Sequence, residues 1–367
     1  MKRTKRNNLA LYIHIPFCEH ICSYCDFTKL FYNEQFANDY IKELIKEFDS
    51  YDFDRYQTIY IGGGTPTSLN DVLFEKLLSH VSKKLSPDGE FTVEANVENL
   101  TKSKLEIMAR YKVSRLSIGV QSTSNKRLKD IGRCHTYEDA VKVVNEAKKY
   151  NFDSINVDLM FGFKDETKED LIEDLKNILA LGVDHISIYS LIISPGTKFY
   201  NEKYPENSQD ESREQYDLIL KTLRKHGYKR YEISNFARNE KYSRHNVTYW
   251  KDDEYVGIGL GASGYLNGVR YENTKNLKTY LSGKHVSNKE NVSKDKDMQY
   301  FLLTNLRMED GFQKEEFIKR FGIEFEKAFE NKYEQFAKNG NLLMDGNRIR
   351  LSDEGLMIMD YILVKLF

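Results

Sequence analysis

Short apolar, β-branched runs punctuate the N-terminal half of the chain at regular intervals: Leu11–Ile15, Thr58–Ile61, Phe91–Ala95, Leu116–Val120, Ile155–Phe161 and Ile186–Ile192. Between them, apolar residues recur at three- and four-residue spacing. That periodicity predicts helices over Phe36–Phe48, Val72–Leu85, Lys104–Tyr111, Tyr137–Tyr150 and Lys168–Leu181. Thr136 and Thr167 read as N-caps, each with acidic residues in the turn that follows. Strand alternating with helix six times predicts an α/β fold with a parallel sheet and right-handed crossovers. By analogy with the eight-unit barrel, six such units predict a partial (β/α)6 TIM-like barrel, closed or nearly so.

Beyond these units the pattern changes. A seventh apolar run, Arg230–Ile233, precedes a glycine-rich stretch, Tyr255–Tyr265. The segment Gly283–Asp297 carries many Lys, Asn and Ser and few apolar residues, and reads as a linker. Residues 298–367 then read helix, helix, hairpin, helix, with Asp345-Gly346 as the turn of the hairpin LLMDGNRIRLS. The order predicts a small winged-helix-like α+β domain. Two units follow, a barrel with its extension over 1–285 and a C-terminal domain over 298–367. The helix EFEKAFENKYEQFAKN mixes both charge signs, which favours packing or partner binding over DNA.

Composition narrows the classes. A chain of 367 residues with a formal charge of -1 has no global field for nucleic acid or anionic lipid. No apolar stretch approaches the roughly 18 residues of a membrane span, although peripheral attachment to a membrane stays open. The start, MKRTKRNN, is basic but lacks the apolar region of a secretory signal. Of four cysteines, three fall within eight residues, which speaks for reducing cytoplasm and a metal site rather than disulfides.

Those three are Cys18, Cys22 and Cys25, in HIPFCEHICSYCDF directly after the first strand. Three thiolates this close can hold one metal centre while leaving a position open. A 4Fe-4S cluster with one iron free for an external ligand is one reading. Zinc with His20 or Cys134 as a fourth donor is the other. A loop at the carboxyl end of the first barrel strand is where catalytic groups sit, which favours the first. Later strand ends carry polar groups too: Gly62-Gly63-Gly64-Thr65-Pro66, Glu94, Gln121 and Asp158. Singly each is a common strand tip. Together they converge on one mouth, as a polar cofactor requires.

The cysteine spacing resembles the signature of the radical S-adenosylmethionine superfamily. Over Tyr12 to about Tyr280 the chain resembles its coproporphyrinogen oxidase-like branch, through LYIHIPFCEHICSYCDF, IYIGGGTPT, LSIGVQS, INVDLMFGF, HISIYSLIISPGT, YEISNFA, SRHNVTYW and GIGLGASGY. LRMEDGF and the final hairpin extend the likeness into the C-terminal region. The resemblance implies a barrel of radical S-adenosylmethionine type, a 4Fe-4S cluster on the three cysteines and S-adenosylmethionine as cofactor. It implies cofactor contacts from Tyr12, Tyr24, Gly63, Gly64, Thr65, Glu94, Gln121, Arg133, Asp158 and Ile192. Arg133 would pair with the cofactor carboxylate through its planar fork. Cys134 reads as a plain thiol, and His135 has no assigned role.

Two kinds of protein share this branch. The oxygen-independent coproporphyrinogen III oxidases carry a further cysteine two residues after the third ligand and a longer leading segment. Here Phe27 holds that position, and Tyr12 lies near the start. Both departures point to the HemW group, regarded as heme chaperones. The segment His245-Asn246-x-x-Tyr249-Trp250 resembles that group's heme-binding motif, with His245 as axial ligand and Arg244 near a propionate. The implied partners are heme, an acceptor protein and an electron donor, with no nucleic acid. The alternative is an enzyme that decarboxylates propionates with a 5′-deoxyadenosyl radical.

Overall fold

A computed structural model describes residues 9–367, so the basic start lies outside the described residues. Six strands follow in chain order: β1 (Ala10–Ile15), β2 (Tyr56–Gly63), β3 (Leu85–Asn96), β4 (Arg115–Gln121), β5 (Ser154–Phe161) and β6 (His185–Ser190). Each pairs in parallel with the next. The expected helices form as Glu34–Ser50, Asp71–Val81, Lys102–Arg110, Tyr137–Ala147 and Lys168–Ala180. Thr136 and Thr167 cap the last two through reciprocal capping boxes with Asp139 and Asp170. The second helix ends before its expected limit: Leu85 opens β3, because Pro87 and Gly89 break the helical run.

Alternation along the strands sorts the two faces of the sheet. Leu11, Ile13, Ile15, Ile59, Ile61, Val93, Leu116, Ile118, Val157 and Ile186 belong to the main hydrophobic core. Each such side chain contributes about 1.5–3 kcal/mol by leaving water. Their neighbours in sequence include Tyr12, His14, Thr58, Tyr60, Glu94, Ser117, Asn156 and Asp158. The inner face is therefore polar and aromatic, and the helices cover the apolar one.

Six further strands complete the sheet: β7 (Lys229–Arg230), β8 (Asn235–Ala237), β9 (Tyr255–Ile258), β10 (Ser263–Leu266), β11 (Val269–Asn273) and β12 (Val286–Asn291). The order is β12-β11-β10-β9-β1-β2-β3-β4-β5-β6-β8-β7. Among the described residues the outer edges do not pair, so the barrel is open. Of the seventh apolar run only Arg230 joins a strand, the two-residue β7; Tyr231 is buried and Glu232 bridges to Met308. The segment expected as a linker is structured instead. Its Val286–Asn291 pairs antiparallel with Val269–Asn273, an exposed edge strand whose polar composition hides it from a hydrophobic pattern.

The C-terminal region has its own aromatic core, including Phe301, Phe312, Phe317, Phe321, Phe325 and Phe329. Strands β13 (Phe312–Gln313), β14 (Leu342–Asp345) and β15 (Arg348–Leu351) form a sheet in which β15 is central. Asp345 pairs with Arg348 across the two-residue turn, where Gly346 takes φ +60°. The helix expected from EFEKAFENKYEQFAKN is two short ones, Phe325–Ala328 and Glu334–Lys338, separated at Asn331 with φ +65°. Arg230, 2% exposed, ties this region to the barrel by ion pairs to Glu309 and Asp353.

Candidate cofactor site

The loop bearing the cysteines is closed at its base by a parallel bridge between Phe17–Cys18 and Leu30–Phe31. Phe17 anchors it by burying its ring edge-on against Tyr40. Farther out, the Ser23 N–H donates to Ile131 O and the Phe199 N–H donates to Ser23 O, both at 3.0 Å. The excursion is thus pinned at several points. All four cysteines are free thiols; Cys18 is buried, Cys22 and Cys25 are half-buried, and Cys134 is exposed. Burial pushes the Cys18 thiol up to about 11.

A cavity of about 440 Å³ opens at the carboxyl ends of the parallel strands. Its walls bring together Cys18, Cys22, Tyr24, Cys25, Gly63, Gly64, Thr65, Glu94, Gln121, Arg133, Asp158 and Ile192. Cys134 is not on that wall, whereas His20 is. Tyr12 is not on it either: its hydroxyl lies 3.0 Å from His14 Nδ1, inside the barrel.

The glycines of β2 make room. Gly63 has φ +113°, and a Cβ there would lie 2.5 Å from His14 Cε1. At Gly64 a Cβ would lie 3.0 Å from Cys18 Sγ. Glu94 accepts hydrogen bonds from the Tyr60 hydroxyl at 2.6 Å and the Gly63 N–H at 3.0 Å. Burial raises its carboxyl to about 7. Asp158 accepts from Asn156 Nδ2 at 2.7 Å, and burial raises it to about 6. Gln121 takes φ +71° where the β4–β5 register shifts, a bulge that re-aims the strand tip. Buried Arg133 donates to Asn96 Oδ1 at 2.9 Å and to Cys22 Sγ at 3.6 Å, while its Nε has no partner. The Thr65 hydroxyl donates to Cys18 Sγ at 3.4 Å.

Sequence reasoning missed Asn96 and Tyr60. Asn96 lies two residues beyond Glu94, so strand alternation already put it on the same face. Tyr60 stands in a run read only as apolar.

His245 lies elsewhere. Its helix, Arg244–Trp250, is capped by Ser243 and closes the opposite mouth of the barrel. The ring is fully buried, with Nδ1 2.8 Å from Thr58 Oγ1 and Nε2 2.7 Å from Tyr249 Oη. It stacks on Tyr60 at 5.0 Å, and burial lowers its basicity to about 3. Both nitrogens of His245, expected as an axial ligand, are engaged by hydroxyl groups in this arrangement. Arg244 is exposed and donates to Asp88 O at 2.6 Å. It lines a second cavity of about 600 Å³ with Val247 and Thr248 of the same helix and Lys251 at its C-terminal cap.

The radical SAM superfamily model matches residues 12–178, and the HemN C-terminal domain model matches 292–358. Among curated relatives, the heme chaperone HemW of Lactococcus lactis is 38% identical, over 94% of this chain and 94% of its own. That of Bacillus subtilis is 34% identical over 95% and 96%. The chain belongs to the HemW family. In three dimensions this HemW family member resembles coproporphyrinogen III oxidase (HemN) from Escherichia coli, a radical SAM enzyme, with TM-score 0.87. That likeness covers 99% of this chain and 91% of the other, and at 21% identity it speaks for the fold.

Membership of the radical SAM superfamily implies a 4Fe-4S cluster and S-adenosylmethionine. The residues present fit both. Three reduced cysteines share one wall, two side-chain donors point at their sulfurs, and the glycine cradle leaves no room for a Cβ beside Cys18. Arg133 carries an unpartnered Nε in the same pocket. The described residues contain no helix long and apolar enough to cross a membrane.

Proposed function

We propose that this protein is a cytoplasmic heme chaperone, which binds heme and passes it to an acceptor protein. Cys18, Cys22 and Cys25 would hold the cluster, and its open iron would take S-adenosylmethionine. Gly63, Gly64 and Thr65 would meet the methionine moiety, Arg133 its carboxylate, Glu94, Gln121 and Asp158 its polar atoms, and Tyr24 and Ile192 its ring. The cluster, when bound, supplies an electron to the cofactor. The observation that carries the reading is near full-length identity of 38% with a protein named heme chaperone HemW. Phe27 adds support. It is 65% exposed on the cavity rim, where the oxidases place a further cysteine.

Heme would enter at the mouth closed by Arg244–Trp250, whose cavity wall offers Arg244 and Lys251 to propionates. Ligation by His245 would require the helix to part from Thr58 and the ring to leave the Tyr249 hydroxyl of its own helix. Anaerobically reconstituted protein should take up one equivalent of heme, followed by its absorbance, and His245→Ala should impair uptake. Equal uptake by that variant would remove His245 as ligand. Turnover of coproporphyrinogen III under reducing anaerobiosis would instead establish an enzyme.

A further inference from the structure

Asn96, at the last position of β3, joins the two side chains that point at the cysteine sulfurs. Its Oδ1 accepts from Arg133 at 2.9 Å, and its Nδ2 donates to Thr65 Oγ1 at 3.0 Å. The orientation of the amide is forced, because a guanidinium has only donors and must face the oxygen. Nδ2 therefore occupies a lone pair of the Thr65 hydroxyl, and the hydroxyl proton is left to point at Cys18 Sγ, 3.4 Å away. Arg133 in turn donates to Cys22 Sγ. One amide thus turns the Thr65 proton toward Cys18 and, together with Gly119 O as a second acceptor for Arg133 Nη2, holds the guanidinium that donates to Cys22.

We propose that Asn96 is a positioning residue for the cluster, acting through Thr65 and Arg133 to hold its reduction potential up. Hydrogen bonds to cluster sulfurs stabilise the more negative, reduced state, and second-layer groups that orient such donors tune the centre. Asn96 contacts no sulfur itself. Its effect passes through the Thr65 hydroxyl and the Arg133 fork. The proposal rests on the cluster assignment above.

The test is a redox titration followed by electron paramagnetic resonance on the full-length reconstituted protein, with iron and sulfide content measured beside it. Asn96→Leu should retain iron and sulfide but shift the midpoint negative. A threefold change in the oxidised-to-reduced ratio, about 28 mV at about 59 mV per tenfold for one electron, is the expected order. Thr65→Val should shift the same way, and Asn96→Leu should have a smaller effect in that background than in the wild type. An unshifted midpoint with full iron content overturns the proposal, as does strict additivity of the two substitutions. Should Asn96→Leu fail to hold iron, Asn96→Asp replaces it. It keeps the Arg133 contact but turns the Thr65 proton away from Cys18, and its negative shift should also shrink in Thr65→Val. An undiminished shift or none overturns the inference. Wild-type protein without iron and sulfide would refute the cluster assignment instead, so the two failures are distinct.

Discussion

His245 Nδ1 lies 2.8 Å from the hydroxyl oxygen of Thr58, on the same strand that ends in the cavity-lining glycine Gly63. Gly63 lies five positions beyond Thr58, roughly 17 Å along an extended strand. Strand β2 therefore carries the His245 contact at one mouth and a wall of the cysteine-lined cavity at the other, the two sites proposed for heme and cofactor. Between them lies a small polar cavity, lined by Glu94 and Asp158 from the cofactor side and by Ser243 and Asn246 from the motif segment.

Removing a partner of the buried imidazole should loosen the motif helix. Thr58→Val deletes the hydrogen bond that ties the ring to β2, worth about 1 kcal/mol, and should speed heme uptake about fivefold, while Tyr249→Phe deletes a bond within the helix and should speed uptake by freeing Nε2 instead. Stopped-flow absorbance measures this; rates equal to wild type would show that these contacts do not limit entry.

Acid should open the same helix. Burial holds His245 near 3, whereas the exposed ring titrates near its ordinary 6.5. Between those values the open form binds a proton that the closed form cannot, so the closed form loses about 1.4 kcal/mol per pH unit as pH falls. Its stabilisation is complete above about 6.5. Trp250, the single tryptophan, sits on this helix. Its emission should shift to longer wavelength between pH 7 and 5, and a flat emission profile would argue against opening.

Binding of S-adenosylmethionine should strengthen as pH rises through 7. The Glu94 carboxyl, raised to about 7 by burial, must lose its proton to face a cationic ligand. Calorimetric affinities should climb by up to tenfold per unit below that pH and level off above it. Glu94→Gln should bind more weakly and without this slope; if the slope survives, another group is titrating.

Gly63→Ala should abolish cofactor binding while the three cysteines remain. A φ of +113° strains any Cβ, and this one would collide with the His14 ring. Such backbone positions cost about 1–3 kcal/mol before the clash is counted. Iron content near wild type with no measurable S-adenosylmethionine binding is the expected result.

Much of this was legible in the chain. The six strands and their helices follow from apolar period and capping residues such as Thr136 and Thr167, because local interactions set them. The cavity-lining residues Glu94, Gln121 and Asp158 were legible for a related reason, since parallel topology sends successive strand ends to one mouth. The exposed edge strand Val286–Asn291 was not, since its pairing with β11 needs no hydrophobic face. Tyr60 and Asn96 were missed because alternation gives a residue's face but not the side chain it will orient.

The sequence by itself determined the first six strands with their helices, the thiol triad and the family. Only the tertiary structure decided that the His245 ring is sealed between Thr58 and Tyr249, and that one Asn96 amide joins Thr65 to Arg133. Periodicity and motif spacing are properties of neighbouring residues. Which buried donor meets which acceptor depends on side chains brought together from distant strands, and that is settled only when the sheet curls around its polar face.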